Sequence, residues 1–424
     1  RGSGGRRQGS ARGCVRERQI MAATFAKEVA ALIRNNNSMQ LAQRLAIMST
    51  DTSKKQFLDW LSTRTYGQGL SECERAMPDD WAEVVCHTVK AASLKRDGNL
   101  LDAYTHQEAA FEAFLRVFKT LSRHWCPILK VLVIDLRKLG AQADVQQRAK
   151  GQPEEAIKLE GAGRVMRKCL AQELRDDDNE HHQLRTYGAL HVANQCQRVF
   201  FALNTLKHVK SLVLPPGLSV QEFPASDRVT WHYFQGRMAL MESRFDQAEQ
   251  DLSFAFNNCP QGHVANRRRI LSYLVPVRLL LHQAKPSPTR RAALPTQALL
   301  ERYKLPEFEG IVDAFRSGNV QKFKESLEEH ADFFVQRSIY VLLHKLTLCV
   351  YRTLFKKAHA VVGKSQVKLE VLVAAVRAVG GEADPEQVEC MLANLIHQGL
   401  VKGYIAHKQQ TVVLKKEDPF RTFG

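Results

Sequence analysis

The sequence predicts a mainly α protein: helical hairpins stacked as a tetratricopeptide-like solenoid and capped by a C-terminal winged helix. Three observations predict it. Apolar residues recur with a 3.6-residue period along most of the chain, while strand signals are scarce before about residue 400. The helical stretches come in pairs, broken at Gly-Asn dipeptides that suit a left-handed turn. The last sixty or so residues then read helix, helix, strand, turn, strand, which is the ending of a helix-turn-helix variant with a β-hairpin wing.

The first pair, Trp81 to Lys95 and Leu101 to Leu121, is split by Gly98-Asn99. A later one, Ile311 to Ser317 and Val320 to Phe334, is split by Gly318-Asn319. The clearest hairpin runs from Val229 to about Gly262. Laid on the 34-residue tetratricopeptide template, its Gly236, Ala248 and Ala255 fall where small residues let two helices approach closely, and Pro260 falls where the second helix stops. Ala239 replaces the template tyrosine and Trp231 sits one place from the template tryptophan, so the match is partial. Pro215-Pro216-Gly217 with Pro224, and Lys285 to Pro295, are proline-rich segments that helices do not cross.

In the C-terminal region Leu369, Leu372, Val376 and Val379 mark one amphipathic helix, ended by Gly380-Gly381. Asp384 is placed as the N-cap of the next, with Pro385 at its first position and Gln387 three after the cap. Val388, Leu392 and Leu395 form that helix's buried stripe, and Cys390 is expected to join it as a small core residue. Leu400 to His407 and Thr411 to Lys415 are the expected wing strands, joined by a turn over Lys408-Gln409-Gln410. The domain reading is a disordered basic tail over 1–20, N-terminal helical repeats over 21–210, a helical part over 211–365 and the winged helix over 366–424.

Composition bounds the function. The chain has 424 residues with 44% hydrophobic and 25% charged, so it is globular and of several packed units rather than disordered or fibrous. Its nine cysteines stand singly, with no CxxC pair and no zinc-ribbon spacing, as reduced and buried thiols do. No apolar run reaches the 18 or more residues of a membrane span, and the Arg-rich first twenty residues lack the apolar centre of a secretory signal. A soluble protein of the nucleus or cytosol is expected, with no membrane partner.

No catalytic motif is present. There is no GxxxxGK[ST] loop, no GxGxxG, no GxSxG and no HExxH; the one His/acid cluster, His181-His182 after Asp176 to Asp178, has adjacent histidines that point about 100° apart on a helix. No catalytic residue, metal ligand or cofactor is therefore expected, and the chain is read as a binding protein.

The formal charge of +17 says where to look. Residues 261–300 hold Arg267, Arg268, Arg269, Arg278, Lys285, Arg290 and Arg291 with no acid. Residues 340–381 hold Lys345, Arg352, Lys356, Lys357, Lys364, Lys368 and Arg377 against Glu370 alone, and the wing holds Lys402, Lys408, Lys415 and Lys416 with no acid. The helix that reads DNA in many winged helices carries Glu382, Asp384, Glu386 and Glu389 at its start, which opposes insertion among phosphates. A sequence-neutral, salt-dependent contact through wing and neighbouring lysines and a merely solvated basic face both fit this charge pattern.

A solenoid capped by a winged helix is the architecture of PCI domains, shared by the proteasome lid, the COP9 signalosome and a translation initiation factor. The segments 228–233 (RVTWHY), 245–256 (FDQAEQDLSFAF), 269–278 (RILSYLVPVR), 351–357 (YRTLFKK) and 389–404 (ECMLANLIHQGLVKGY) resemble the PCI domain-containing protein 2 and yeast Thp family. That resemblance implies a non-catalytic scaffold subunit of the nuclear transcription-and-export complex of TREX-2 type, coupling transcription to mRNA export and reaching the nuclear pore indirectly. It also implies a larger PCI scaffold of Sac/GANP type and a small acidic Dss-type protein as partners, and RNA or double-stranded DNA on a basic winged-helix surface. By place in the motif, Lys364, Lys368, Arg377, Lys402, Lys408, Lys415 and Lys416 take the nucleic-acid role, although the wing lysines equally fit the flank of a partner interface. Leu395, Ile396, Val401 and Ile405 pack either inside the domain or against the partner. The alternative implied by the wider family is a purely protein-binding subunit of a COP9 signalosome-like complex.

Overall fold

In the computed structural model the described residues are 25–48, 66–119, 121–152, 157–172, 174, 186–212, 214, 219–284 and 294–420. The tail expected over 1–20, the His181-His182 cluster, Pro215 to Gly217 and 285–293 lie outside them. The chain divides into two compact units, Arg1–Trp231 and His232–Gly424.

In the first unit a helical run over 25–34 leads into α1 (Ser38–Leu45), α2 (Tyr66–Ala76), α3 (Asp79–Arg96), α4 (Leu100–Phe118), α5 (Cys126–Ala149), α6 (Lys158–Gln172), α7 (Ala189–Ala202) and the short α8 (Leu206–Lys210). From α3 to α7 each helix packs on the next in sequence. The turn at Gly98-Asn99 works as its residue types require. Gly98 takes φ +80, and the Asn99 side chain accepts the backbone N–H of Asp102 to cap α4. Inside, Tyr104, Phe111, Phe114, Phe118, Ile128 and Leu129 are fully buried. The buried carboxylate of Asp144 accepts the N–H groups of Lys158 at 2.8 Å and Leu159 at 3.1 Å, supplying partners to donors that open α6.

Two polar clusters, one buried and one half-buried, lie in this unit. Asp227 accepts Lys130 Nζ at 2.8 Å and meets His191 Nδ1 at 2.9 Å. Burial works to raise its carboxyl, but those two partners outweigh it and hold the group below its ordinary value. On α3 and α4 the Nδ1 atoms of His87 and His106 stand 2.9 Å apart. Burial, then the proximity of His106 and Arg116, lowers His87 from 6.5 to about 4.

The second unit begins within α9 (Ala225–Met241) and continues through α10 (Phe245–Asn258), α11 (Val264–Ala284), α12 (Gln297–Arg302), α13 (Glu309–Ser317), α14 (Val320–Glu329), α15 (Ala331–Gln336), α16 (Tyr340–Lys345) and α17 (Thr347–Val362). The α9/α10 hairpin is as close as its small residues suggest. Ala239, Ala248 and Ala255 are fully buried, and a Cβ placed on Gly236 would lie 2.6 Å from Leu252 Cγ. Gly318 is left-handed at φ +78 and Asn319 caps α14 through the N–H of Lys322. The helix expected to run from Val320 to Phe334 is broken at His330, whose ψ of 21 lies outside the helical well. The break separates Phe323 and Leu327 from Phe334, which packs 5.3 Å from Phe308. Burying each of these phenylalanines is worth roughly 2–3 kcal/mol, against less than about 1 kcal/mol for an exposed ion pair such as Lys322–Asp313. The core therefore decides where the helix breaks.

The winged helix follows as β1 (Gln366–Lys368), α18 (Leu369–Ala378), α19 (Pro385–His397), β2 (Gly403–Ala406) and β3 (Thr411–Leu414). Asp384 caps α19 by accepting the N–H of Gln387 at 2.7 Å. The sheet has the order β1-β3-β2, antiparallel throughout. β1 has no counterpart among the expected elements, because three residues reading Gln-Val-Lys carry no strand signal until β3 pairs with them. α17 packs on α18 and α19, and Arg352 of α17 reaches into this domain. Arg352 is only 8% exposed; its Nε donates to Leu400 O at 3.2 Å and its Nη2 to Phe420 O at 2.8 Å. Burial lowers its pKa from the ordinary arginine value.

Three outcomes test this packing. Gly236→Val forces Leu252 aside and costs about 1–3 kcal/mol in chemical denaturation, whereas Gly262→Ala, with open space around it, changes stability by less than about 0.5 kcal/mol. Arg352→Ala leaves two carbonyls without their donor and costs about 2–4 kcal/mol, with faster proteolysis after residue 397; Arg352→Lys, lacking the planar fork, does not restore both bonds. Because folding lowers the His87 pKa, the unfolded chain binds more protons between pH 6.5 and about 4, so stability falls as pH drops through that window. The loss is about 1–2 kcal/mol after solvent screening, read as a falling thermal midpoint, and a His87→Asn/His106→Asn variant removes most of that slope.

Candidate nucleic-acid and partner interface on the winged helix

Strand alternation builds the outer face of the wing. Successive strand residues point to opposite sides of a sheet, and the register aligns Val367, Val412 and Ile405 in one row. That row turns inward, with Val367 and Val412 each 1% exposed. The flanking rows, Gln366–Val413–Tyr404 and Lys368–Thr411–Ala406, take the opposite phase. Pairing continues past the strands, since Leu414 N–H donates to Ser365 O at 2.7 Å and Lys415 N–H donates to Lys402 O at 3.0 Å. Lys364, Lys402 and Lys415 therefore share the outward phase with Lys368. Gly403 permits the close β2/β3 pairing: a Cβ there would overlap the Val413 carbonyl.

The seven basic residues expected to meet nucleic acid thus fall into separate groups. Lys364, Lys368 and Lys415 are exposed and Lys402 half-buried on the outward sheet face. Lys408 is exposed on the turn, where Gln410 closes the hairpin at φ +47. Lys416 is exposed one residue beyond Lys415, at the opposite phase. Arg377 stands apart on α18 and donates to Ala383 O at 3.2 Å. Of the apolar set, Leu395 and Val401 are core residues at 0% and 1% exposure, while Ile396 and Ile405 are half-buried.

The carboxylates opening α19 have local roles. Asp384 is the cap, and Glu389 binds His407 Nδ1 of the wing turn at 2.7 Å. Glu382 and Glu386 stay exposed, so the start of this helix presents negative charge. Cys390 is not a core residue. At 100° per residue it lies 200° from Val388, on the side away from the Val388/Leu392/Leu395 stripe, and it is exposed, with Asn394 Nδ2 at 3.8 Å from its sulfur. The other described cysteines are buried thiols.

The remaining basic stretches are partly drawn into the fold. Arg267 donates to Cys259 O and the Tyr303 hydroxyl and stacks on Phe256; Arg268 donates to Lys304 O and pairs with Glu307; Arg278 pairs with Glu249 at 3.4 Å. Arg352 is the buried clamp described above, and Lys357 donates to Ser317 O. These side chains are engaged by carbonyls, rings and carboxylates of the second unit, although Lys357 stays exposed. Tyr404 is the residue that sequence reasoning passed over. It stands 62% exposed on the outward face, on the edge strand β2 beside Val413, a position readable from the alternation of Lys402, Tyr404 and Ala406 once the register is known.

Among the described residues no group of three or more His, Cys, Asp or Glu is gathered to hold a metal ion, and no helix is long and apolar enough to cross a membrane. A family profile for the PCI domain matches residues 327–416, which takes in the last solenoid helices and the wing. PCI domain-containing protein 2 of Xenopus laevis is 30% identical over 82% of this chain and 86% of its own length. The homologue of that protein in Caenorhabditis briggsae is 31% identical over 92% of this chain and 94% of its own. A Schizosaccharomyces pombe protein named as a CSN12 homologue is 27% identical over 95% of the chain and 98% of its length. Helical hairpins, a winged-helix end and likeness at this level over most of both chains converge: the chain belongs to the PCI domain-containing protein 2 family.

Proposed function

We propose that this chain is a non-catalytic scaffold subunit of a nuclear transcription-and-export complex of TREX-2 type, contacting RNA or double-stranded DNA through its winged helix. The observation that carries the nucleic-acid part is the outward sheet face, where alternation gathers Lys364, Lys368, Lys402 and Lys415 without a carboxylate. Phosphate binding needs such a cationic, sequence-neutral surface. The acidic start of α19 supports contact by the wing rather than by that helix. In this reading a larger PCI scaffold of Sac/GANP type and a small acidic Dss-type protein complete the complex, which works in the nucleus and reaches the nuclear pore through those partners. In this reading half-buried Ile396 is the residue of the apolar set that meets the larger partner, since Ile405 lies on the inward row of the sheet.

A second reading, a protein-binding subunit of a COP9 signalosome-like complex, is favoured by the fission-yeast relative named as a CSN12 homologue, whose length the chain covers almost entirely. One experiment separates the two. Changing Lys402, Lys408, Lys415 and Lys416 to Glu weakens RNA binding of the purified complex at least tenfold and flattens its salt dependence, while partner co-purification persists. Unchanged RNA affinity at moderate salt rejects the first reading.

A further inference from the structure

We infer that the outward face of the wing sheet is a stacking platform for single-stranded nucleic acid, with Tyr404 as the residue on which an unpaired base lies. The inference rests on the nucleic-acid reading above and specifies which form of nucleic acid this face takes.

A large aromatic ring in a sheet is ordinarily covered by a helix or by the opposing sheet, because leaving it in water forgoes the burial free energy that folding supplies elsewhere. Tyr404 is 62% exposed although its own row neighbour Val413 is half-buried and the opposite phase of the same sheet is a closed core of Val367, Val412 and Leu414. Its surroundings are cationic and polar: Lys402 precedes it in phase, Lys415 pairs with Lys402, and Gln366 and Lys368 lie across β3. No residue of this outward phase, from Lys364 through Gln366, Lys368, Lys402, Ala406, Thr411 and Val413 to Lys415, is acidic.

Charge complementarity commits the face to one occupant. An acidic peptide would satisfy the lysines and leave the ring unused, and a duplex would present phosphates while keeping its bases stacked on each other. A single strand offers both phosphates for the lysines and free base faces for the ring. Sheet surfaces with an exposed aromatic between basic side chains bind such strands with little sequence preference, since every base has a π-face. The neighbouring geometry keeps the platform accessible: Thr411 and Ala406 in the next outward row are small.

The test uses the full-length chain, alone and with the partners that co-purify with it. Fluorescein-labelled unstructured oligo(U) and oligo(A) of about twelve nucleotides are compared with a duplex of equal length. Tyr404→Ala is expected to weaken both single-stranded probes roughly tenfold, Tyr404→Phe to bind as the native chain does, and duplex affinity to stay within about twofold. The salt slope stays unchanged in Tyr404→Ala and falls in a Lys368→Glu/Lys402→Glu/Lys415→Glu variant, because only the lysines release counterions. Thermal midpoints of the Tyr404 variants, whose ring is exposed, confirm folding. Equal losses on single strand and duplex, tighter duplex than single-strand binding, no loss in Tyr404→Ala, or loss of a protein partner instead of an oligonucleotide each overturn the stacking role. In those cases the nucleic-acid reading stands if the lysine variant still loses affinity. Absence of oligonucleotide binding by the native chain in both preparations overturns both.

Discussion

A buried guanidinium joins the last long helix of the second unit to the domain that carries the candidate site. Arg352 sits in α17 with its Nε on Leu400 and its Nη2 on Phe420, so one side chain holds both the entry to β2 and the segment after β3. Placing an arginine in an interior costs desolvation, and its lowered pKa reflects that cost. The cost is offset because two backbone carbonyls that no strand partner reaches obtain a charged donor. The clamp ties α17 to the segments that flank the β2/β3 hairpin, whose register sets the direction of Lys402 and Lys415.

Several arginines of the second unit serve structure before surface. Arg267, Arg268 and Arg278 spend their charge on carbonyls, tyrosine and glutamate, and Arg337 stacks 3.5 Å above the ring of Phe333. The wing uses lysine instead. A planar guanidinium suits fixed, partly buried partners, whereas a flexible ammonium stays hydrated and adapts to a mobile polyanion. Part of the positive charge of the second unit is thus held by arginines bound within the fold, while the lysines of the wing are mostly exposed.

Much of the fold was legible from residue types. The Gly98-Asn99 and Gly318-Asn319 turns, the small-residue contact at Gly236, and the Asp384-Pro385 start of α19 are local devices whose geometry follows from one or two side chains. Less legible were features that need a distant partner. β1 exists because β3 pairs with Gln366, Val367 and Lys368, and the break at His330 exists because Phe334 is needed beside Phe308. The expectation for Cys390 failed on phase alone: a single position is 100° of helix, and the stripe at Val388, Leu392 and Leu395 leaves 390 on the far side.

For the site, the sequence alone determined that a basic, β-branched hairpin follows an acidic-fronted helix, because composition and turn chemistry are local properties. It also carried the family likeness, which lies in residues of core and turn. Which lysines share a face, and that Tyr404 stands among them, was decided only by tertiary structure. The reason is register: β1 lies more than forty residues from β3 in sequence, and a slip of one residue in their pairing would exchange the inward and outward rows. The same distance hid Arg352, which reads as one more surface charge until Leu400 and Phe420 are brought to it.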